Sequence, residues 1–239
     1  DVFDIEKLSS YFAITDILGA QHGARWHNMR FYFNPITSKL EPIGFDGDTG
    51  NEITSLFSSI DNYLGRSDYV PFGAFHCMII KDKDFYYHYV KKMVQYSQKT
   101  YLDSIFMDVD NELNNNLNIL YKEWPYYRFR KEIFYKNQAY IREMLNPPKA
   151  IHAYLVNNNK IDLELALGNI QSLPVKILGV VINDSIRIFS QKEIILPAKI
   201  SSETIKYINY SFEIPEKFDL SENSLKTLKI RYELFGTNN

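Results

Sequence analysis

The chain has 239 residues, 45% of them hydrophobic and 15% aromatic, enough for a packed core in one large domain or two smaller ones. Its formal net charge of −2 leaves no electrostatic footprint for nucleic acid. No apolar run of about 18 residues offers a transmembrane helix, the acidic, amphipathic first residues are not those of a secretory leader, and the single Cys77 excludes an internal disulfide.

The first half reads as helical, with one short hairpin. From Asp4 to about Leu18, apolar residues such as Ile5, Leu8 and Phe12 recur every three or four positions, and Asp4 or Asp1 can cap the helix. Met29 to Phe33 is an aromatic-rich strand. Asn34-Pro35 opens a turn, and Leu40 to Phe45 returns as a second strand in which Pro42 marks an edge or a bulge. Val70 to Ile80, poor in polar residues, reads as a buried helix that includes His76 as a packing residue. Asp82-Lys83-Asp84 caps a further helix whose stripe is Phe85, Tyr89, Val90, Met93 and Val94, with His88 beside it. Tyr101 to Tyr121 carries Leu102, Ile105, Phe106, Val109, Leu113, Leu117 and Leu120 at helical intervals, with Asp108 and Asp110 on its polar face. Trp124-Pro125 interrupts, and Arg128 to Leu145 forms the last helix, with Ile133, Phe134, Ile141 and Leu145 inward.

Beyond Asn146-Pro147-Pro148 the period shortens. Ile151–Leu155, Lys160–Leu167, Val175–Ile182, Ile186–Phe189, Ile205–Ile214 and Leu225–Leu234 read as strands. Leu163, Leu165 and Leu167 alternate with Asp162, Glu164 and Ala166, as a half-buried strand requires. About seven short strands between Asn, Gly and Pro turns suggest an antiparallel β-sandwich. The expected class is therefore α+β: a mostly helical domain of residues 1–147 with a small hairpin, followed by an all-β sandwich of residues 148–239.

The hairpin carries the chemistry. The residue before its first strand should lie near the residue after its second, which makes Asn28 and Asp46 neighbours across eighteen positions. An amide oxygen and a carboxylate are hard ligands suited to Mg²⁺. Gly47, between Asp46 and Asp48, frees the backbone to turn tightly or to approach a phosphate. Asp46 to Asn51 also suits a plain solvated turn, or a Ca²⁺ loop fragment lacking the other ligands of an EF-hand.

His27-Asn28, the aromatic strand Phe31-Tyr32-Phe33 and Phe45-Asp46-Gly47-Asp48 together resemble the HN, aromatic strand and WDxD-like elements of the CotH-like kinases, the spore-coat and secreted atypical kinases. The resemblance continues through Pro71-Phe72-Gly73-Ala74-Phe75 to about Pro147, some three fifths of the chain. It implies a protein-kinase-like C-lobe using Mg²⁺ or Mn²⁺ and ATP, with phosphoryl transfer to a protein hydroxyl. It further implies that Asp46 is the main metal ligand and Asn28 the second. Asp48 would support a second metal or its water shell, and His27 would orient the loop. Members of the family carry an acidic residue several positions before the HN, whereas Gly19 to Arg25 holds none. His22 is the group there with a pKa suited to general base work.

No Gly-rich loop or strand-borne Lys precedes the HN loop, and the chain begins at Asp1 without Met. The expectation is a C-terminal portion of a longer protein, missing its nucleotide-covering lobe, inactive alone, and located outside the cytoplasm or at the cell surface. The alternatives are a degenerate kinase-like scaffold and a surface module whose sandwich binds a partner or carbohydrate. Lys122, Arg128, Arg130 and Lys131, among Trp124, Tyr126 and Tyr127, form a basic-aromatic cluster readable as a solvated helix start or a phosphate contact.

Overall fold

The computed structural model describes residues 2–57, 75, 78–158, 162–184, 186–199, 204–214 and 227–237. Among them are four helices and eight strands, every strand pairing antiparallel, so the class is mixed α and β. Two compact units divide between Asn146 and Pro147.

In the first unit the central element is α1, Ile5–Ile17. Asp4 begins it by accepting a hydrogen bond from the Lys7 amide at 3.1 Å, which satisfies one of the donors a helix start leaves open. Leu8, Phe12, Ala13 and Ile17 are buried, and so are Ser9, Thr15 and Asp16, so α1 is enclosed on more than its apolar stripe. The Phe12 ring lies 4.2 Å from Phe57 and 5.5 Å edge-on from Phe85. Burying each such side chain contributes roughly 1.5–3 kcal/mol.

Helix α2 (Lys83–Tyr96) is capped by Asp82, which accepts from the Phe85 amide at 2.8 Å. It lays Phe85, Tyr89, Val90 and Met93 against the core, as their spacing predicts, and Ser9 Oγ donates across the α1–α2 contact to the Phe85 carbonyl at 3.0 Å. The helix expected over residues 70–80 falls mostly outside the described residues, as do His76, Cys77 and the segment 71–74.

Two corrections concern the next pair of helices. The long helix α3 (Lys99–Glu123) buries only Leu102 and Phe106. Ile105 and Val109, at the same helical intervals, are exposed, while Leu113, Leu117 and Leu120 are half-covered. Periodicity correctly grouped these residues on one face, but little of the fold covers that face beyond Phe106. Helix α4 (Lys131–Leu145) begins three residues later than the sequence suggests. Its start is fixed by a hydrophobic staple: Phe129, just before the Arg130 cap, packs on Phe134 with ring centroids 5.8 Å apart. Ile133, Phe134, Ile141 and Leu145 are buried as expected.

The hairpin pairs β1 (Arg30–Asn34) with β2 (Lys39–Ile43) in the register Arg30↔Ile43 to Asn34↔Lys39. Asn34 builds the turn, its Oδ1 accepting from the Ile36 amide at 2.9 Å. Pro42 sits opposite Phe31 without a bulge. The other edge of β2 is partly taken by the chain start, where Leu40 exchanges backbone hydrogen bonds with Val2 and Asp4. Phe3, Phe31, Trp26 and Phe75 pack beneath, with Trp26–Phe75 centroids 4.7 Å apart. Glu41 joins the hairpin to α1 through Lys7 at 2.7 Å. That hydrogen bond holds the Lys7 ammonium above its usual range and the Glu41 carboxyl below its own.

The second unit holds two three-stranded antiparallel sheets. One has the order β3 (Ile151–Asn158), β4 (Asp162–Asn169), β7 (Ile208–Glu213); the other β6 (Ile186–Leu196), β5 (Val175–Ile182), β8 (Lys229–Leu234). The alternation in β4 is realised, with Leu163, Leu165 and Leu167 buried. The first strand of the unit runs to Asn158 rather than Leu155, and β6 continues to Leu196 rather than Phe189. The last two strands begin later than predicted, at Ile208 and Lys229. Buried Asn169 fastens the β4–β5 connection, donating to the carbonyls of Leu173 and Pro197 and accepting from the Gln171 amide.

Candidate functional site

The corner between α1 and the hairpin is built around the loop 18–25. Glycine at position 19 is required by a φ of +59° and by the Asn51 carbonyl oxygen, 1.8 Å from where a Cβ would stand. Gly23 permits a close approach: a Cβ there would lie 2.8 Å from the Phe45 carbonyl oxygen and 3.1 Å from Gly47 Cα. The loop backbone therefore passes directly beside the segment 45–47 that follows β2. Tyr11 Oη donates to the Gly23 carbonyl at 2.8 Å and holds the loop from the α1 side.

His22 is the meeting point of the predicted residues. Asn28 Nδ2 donates to the His22 carbonyl at 3.1 Å, and His22 Nε2 lies 3.2 Å from Asp46 Oδ2. Asn28 and Asp46 thus engage the main chain and the ring of one residue. Asn28 is only 6% exposed. Among the described residues its Oδ1 accepts no hydrogen bond. Asp46 is half-exposed, at 52% of its side chain. The imidazole ring and the carboxylate thus face each other at ion-pair distance. The His27 ring stands 6.0 Å from that of His22, edge to face, and its carbonyl accepts from Arg30 Nη1 at 2.9 Å. Arg30 also covers the Phe45 ring, with Cζ 4.7 Å from the centroid.

Asp48 lies two residues along. Its carbonyl accepts from Asn51 Nδ2, and its side chain is exposed. The turn chemistry differs from the expectation for Gly47. The left-handed conformations fall on Asp46 (φ 47°) and Asp48 (φ 48°), and Gly47 does not adopt one. A Cβ at Gly47 would meet only Ala20 and Thr49, at ordinary contact distances of 3.4 and 3.7 Å. Aspartate tolerates this region better than most residues because its short side chain bonds locally.

Asn28, Asp46 and Asp48 supply hard oxygens but no closed cage. Among the described residues there is no group of three or more His, Cys, Asp or Glu side chains placed to hold a metal ion. This donor set fits Mg²⁺ carried on a nucleotide, because Mg²⁺ takes one or two protein carboxylates and completes its shell with phosphates and water.

One residue that the sequence reading passed over anchors this corner. Asp16, fully buried in the last turn of α1, accepts from Gln21 Nε2 at 2.6 Å, from the Phe57 amide at 3.0 Å and from Tyr89 Oη. Gln21 donates as well to the Ser55 carbonyl at 2.9 Å. Burial pushes the Asp16 carboxyl up to about 6, against the opposing pull of its three hydrogen bonds. A signal was present: an acidic side chain near a helix C-terminus opposes the macrodipole and needs a compensating partner. Asn137 on α4 plays a parallel part, accepting from the Ile53 amide and donating to the carbonyls of Ile17 and Asn51.

No protein-family model matches the chain, and no curated protein or solved structure matches it either.

Proposed function

We propose that the helical unit is the C-lobe portion of a CotH-like atypical kinase and that the corner around His22 is its metal-nucleotide site. The observation that carries this reading is the convergence of Asn28 and Asp46 on His22, through 3.1 Å and 3.2 Å contacts, from opposite ends of the hairpin. Asn28 Oδ1 and the Asp46 carboxylate hold the metal, and Asp48 supports its water shell. Bound there with ATP, Mg²⁺ supplies charge neutralisation at the transferred phosphoryl group. His22 receives the proton of an acceptor hydroxyl at Nδ1, while Asp46 fixes its tautomer and ring orientation through Nε2. The sheets of the second unit form the β-sandwich module that follows.

The test is Mn²⁺ with ATP, read by the electron paramagnetic resonance of the metal. The expected result is bound Mn²⁺ that requires the nucleotide and is lost in Asp46→Ala and Asn28→Ala. Binding unaffected by both substitutions removes this assignment. A degenerate scaffold is the second reading, favoured by the direct His22–Asp46 contact, which places a ring nitrogen against the carboxylate where a cation would sit. It predicts no nucleotide-dependent Mn²⁺ signal in the wild-type protein together with a gain of signal in His22→Ala.

A further inference from the structure

The outer part of α3 ends in a feature that the corner site does not use. From Met107 to Glu123 no residue of α3 is buried, and at 1.5 Å per residue this stretch is about 25 Å long. At its end Trp124-Pro125-Tyr126-Tyr127 closes a turn, with the Tyr127 amide donating to the Trp124 carbonyl at 3.1 Å. Pro125 at the second position pre-sets that turn. Three aromatic side chains are displayed on it: Trp124 is 61% exposed, Tyr126 92% and Tyr127 43%. Among the described residues none of these rings meets another ring.

Cations flank the turn. Lys131 is engaged over the Phe106 ring, 4.1 Å from its centroid. The side chains of Lys122, Arg128 and Arg130 have no ion-pair or hydrogen-bond partner among the described residues. The neighbouring carboxylates are Glu123 and Glu132, so the tip is locally positive on a chain of formal net charge −2.

We propose that this tip docks on an anionic lipid bilayer. Tryptophan and tyrosine combine an apolar ring with a polar handle and settle at the headgroup level, unlike the leucine and isoleucine of a protein core. Basic side chains beside them add attraction to anionic lipid, about 1 kcal/mol each, which is roughly fivefold in partitioning. The turn displays its three aromatic rings to solvent together, at 61%, 92% and 43% exposure. No described helix is long and apolar enough to cross a membrane.

The two tryptophans of the chain make the test direct. In the full chain carrying Trp26→Phe, Trp124 is the sole reporter. Its emission is expected to shift to the blue with vesicles of phosphatidylglycerol and phosphatidylcholine in equal parts, and at least tenfold less lipid is needed than with pure phosphatidylcholine. Arg128→Glu with Arg130→Glu should weaken the partitioning by roughly 25-fold or more. Tyr126→Ser with Tyr127→Ser should weaken it in a salt-independent way. Both variants alter exposed residues, and unchanged circular dichroism confirms that α3 is retained. An unshifted Trp124 emission on anionic vesicles overturns the proposal. So does a partitioning insensitive to the double charge reversal, or an equal shift caused by a lipid-free thymidine oligonucleotide.

Discussion

Asp16 and Asp46 grip neighbouring residues of one loop, and they do so under opposite conditions. Asp16 holds Gln21 from inside the core, enclosed completely and accepting from three donors. Asp46 holds the ring of His22 from the surface, half-exposed and with one partner. The inner carboxylate is satisfied in full, so its role is to fix the loop; an added ligand has nothing to bind. The outer one retains accepting capacity on a loop that Asn28 also contacts, which is what a binding site needs. The difference teaches that the proposed chemistry sits on the exposed end of a loop whose rigidity is set by its buried end.

The largest effect should come from breaking the inner grip. Asp16→Ala leaves the Tyr89 hydroxyl, the Gln21 amide and the Phe57 amide without their acceptor, and should cost about 3 kcal/mol or more in urea unfolding. A loss under about 1 kcal/mol would mean water replaces the carboxylate and the corner is looser than described.

The pH dependence of stability tests the inner aspartate further. The folded Asp16 carboxyl is raised from 3.8 to about 6, so between these values the folded protein holds a proton that the unfolded chain has released. Its contribution therefore favours folding at low pH and declines as pH rises through that window, by roughly 2–3 kcal/mol, then stays constant. Subtracting the stability curve of Asp16→Asn from that of the wild type should isolate this slope.

Two glycines test the loop on either side of His22. Gly19→Ala forces a side chain into a left-handed position against the Asn51 carbonyl and should cost about 2 kcal/mol or more. Gly47→Ala meets only ordinary contacts and should stay within about 0.5 kcal/mol. Thermal unfolding of the pair distinguishes the packed side of the corner from the open one. The smallest stability change is expected for Asp46→Asn, within about 0.5 kcal/mol by the same assay, because a half-exposed ion pair contributes little and asparagine keeps the left-handed backbone at φ 47°. A large loss there would make Asp46 a structural residue like Asp16.

Much of the fold was legible from local rules. Asp4 and Asp82 announced their helices because a short acidic side chain before an apolar period can accept the open amides of the first turn. The hairpin followed from aromatic strands around Asn34-Pro35, and β4 from its leucines at every second position. Hairpin geometry brought Asn28 and Asp46 to the same loop, where each contacts His22. The grip of Asp16 was not legible, because its partners Phe57 and Tyr89 lie 41 and 73 residues away. Nor was the left-handed backbone at Asp46 and Asp48, because the sequence assigns the tight turn to the adjacent Gly47.

By itself the sequence determined which side chains share a face, where helices can start, and which polar residues a short hairpin brings together. These depend on backbone geometry over a few residues. Tertiary structure alone decided which faces are covered. The apolar spacing of α3 continues past Phe106, yet among the described residues no other element buries that half, whereas α1 is enclosed along with its aspartate. Burial, and with it the altered protonation of Asp16 and the exposure of Trp124 and Tyr126, depends on what distant segments place against a surface, and a local pattern carries no record of that.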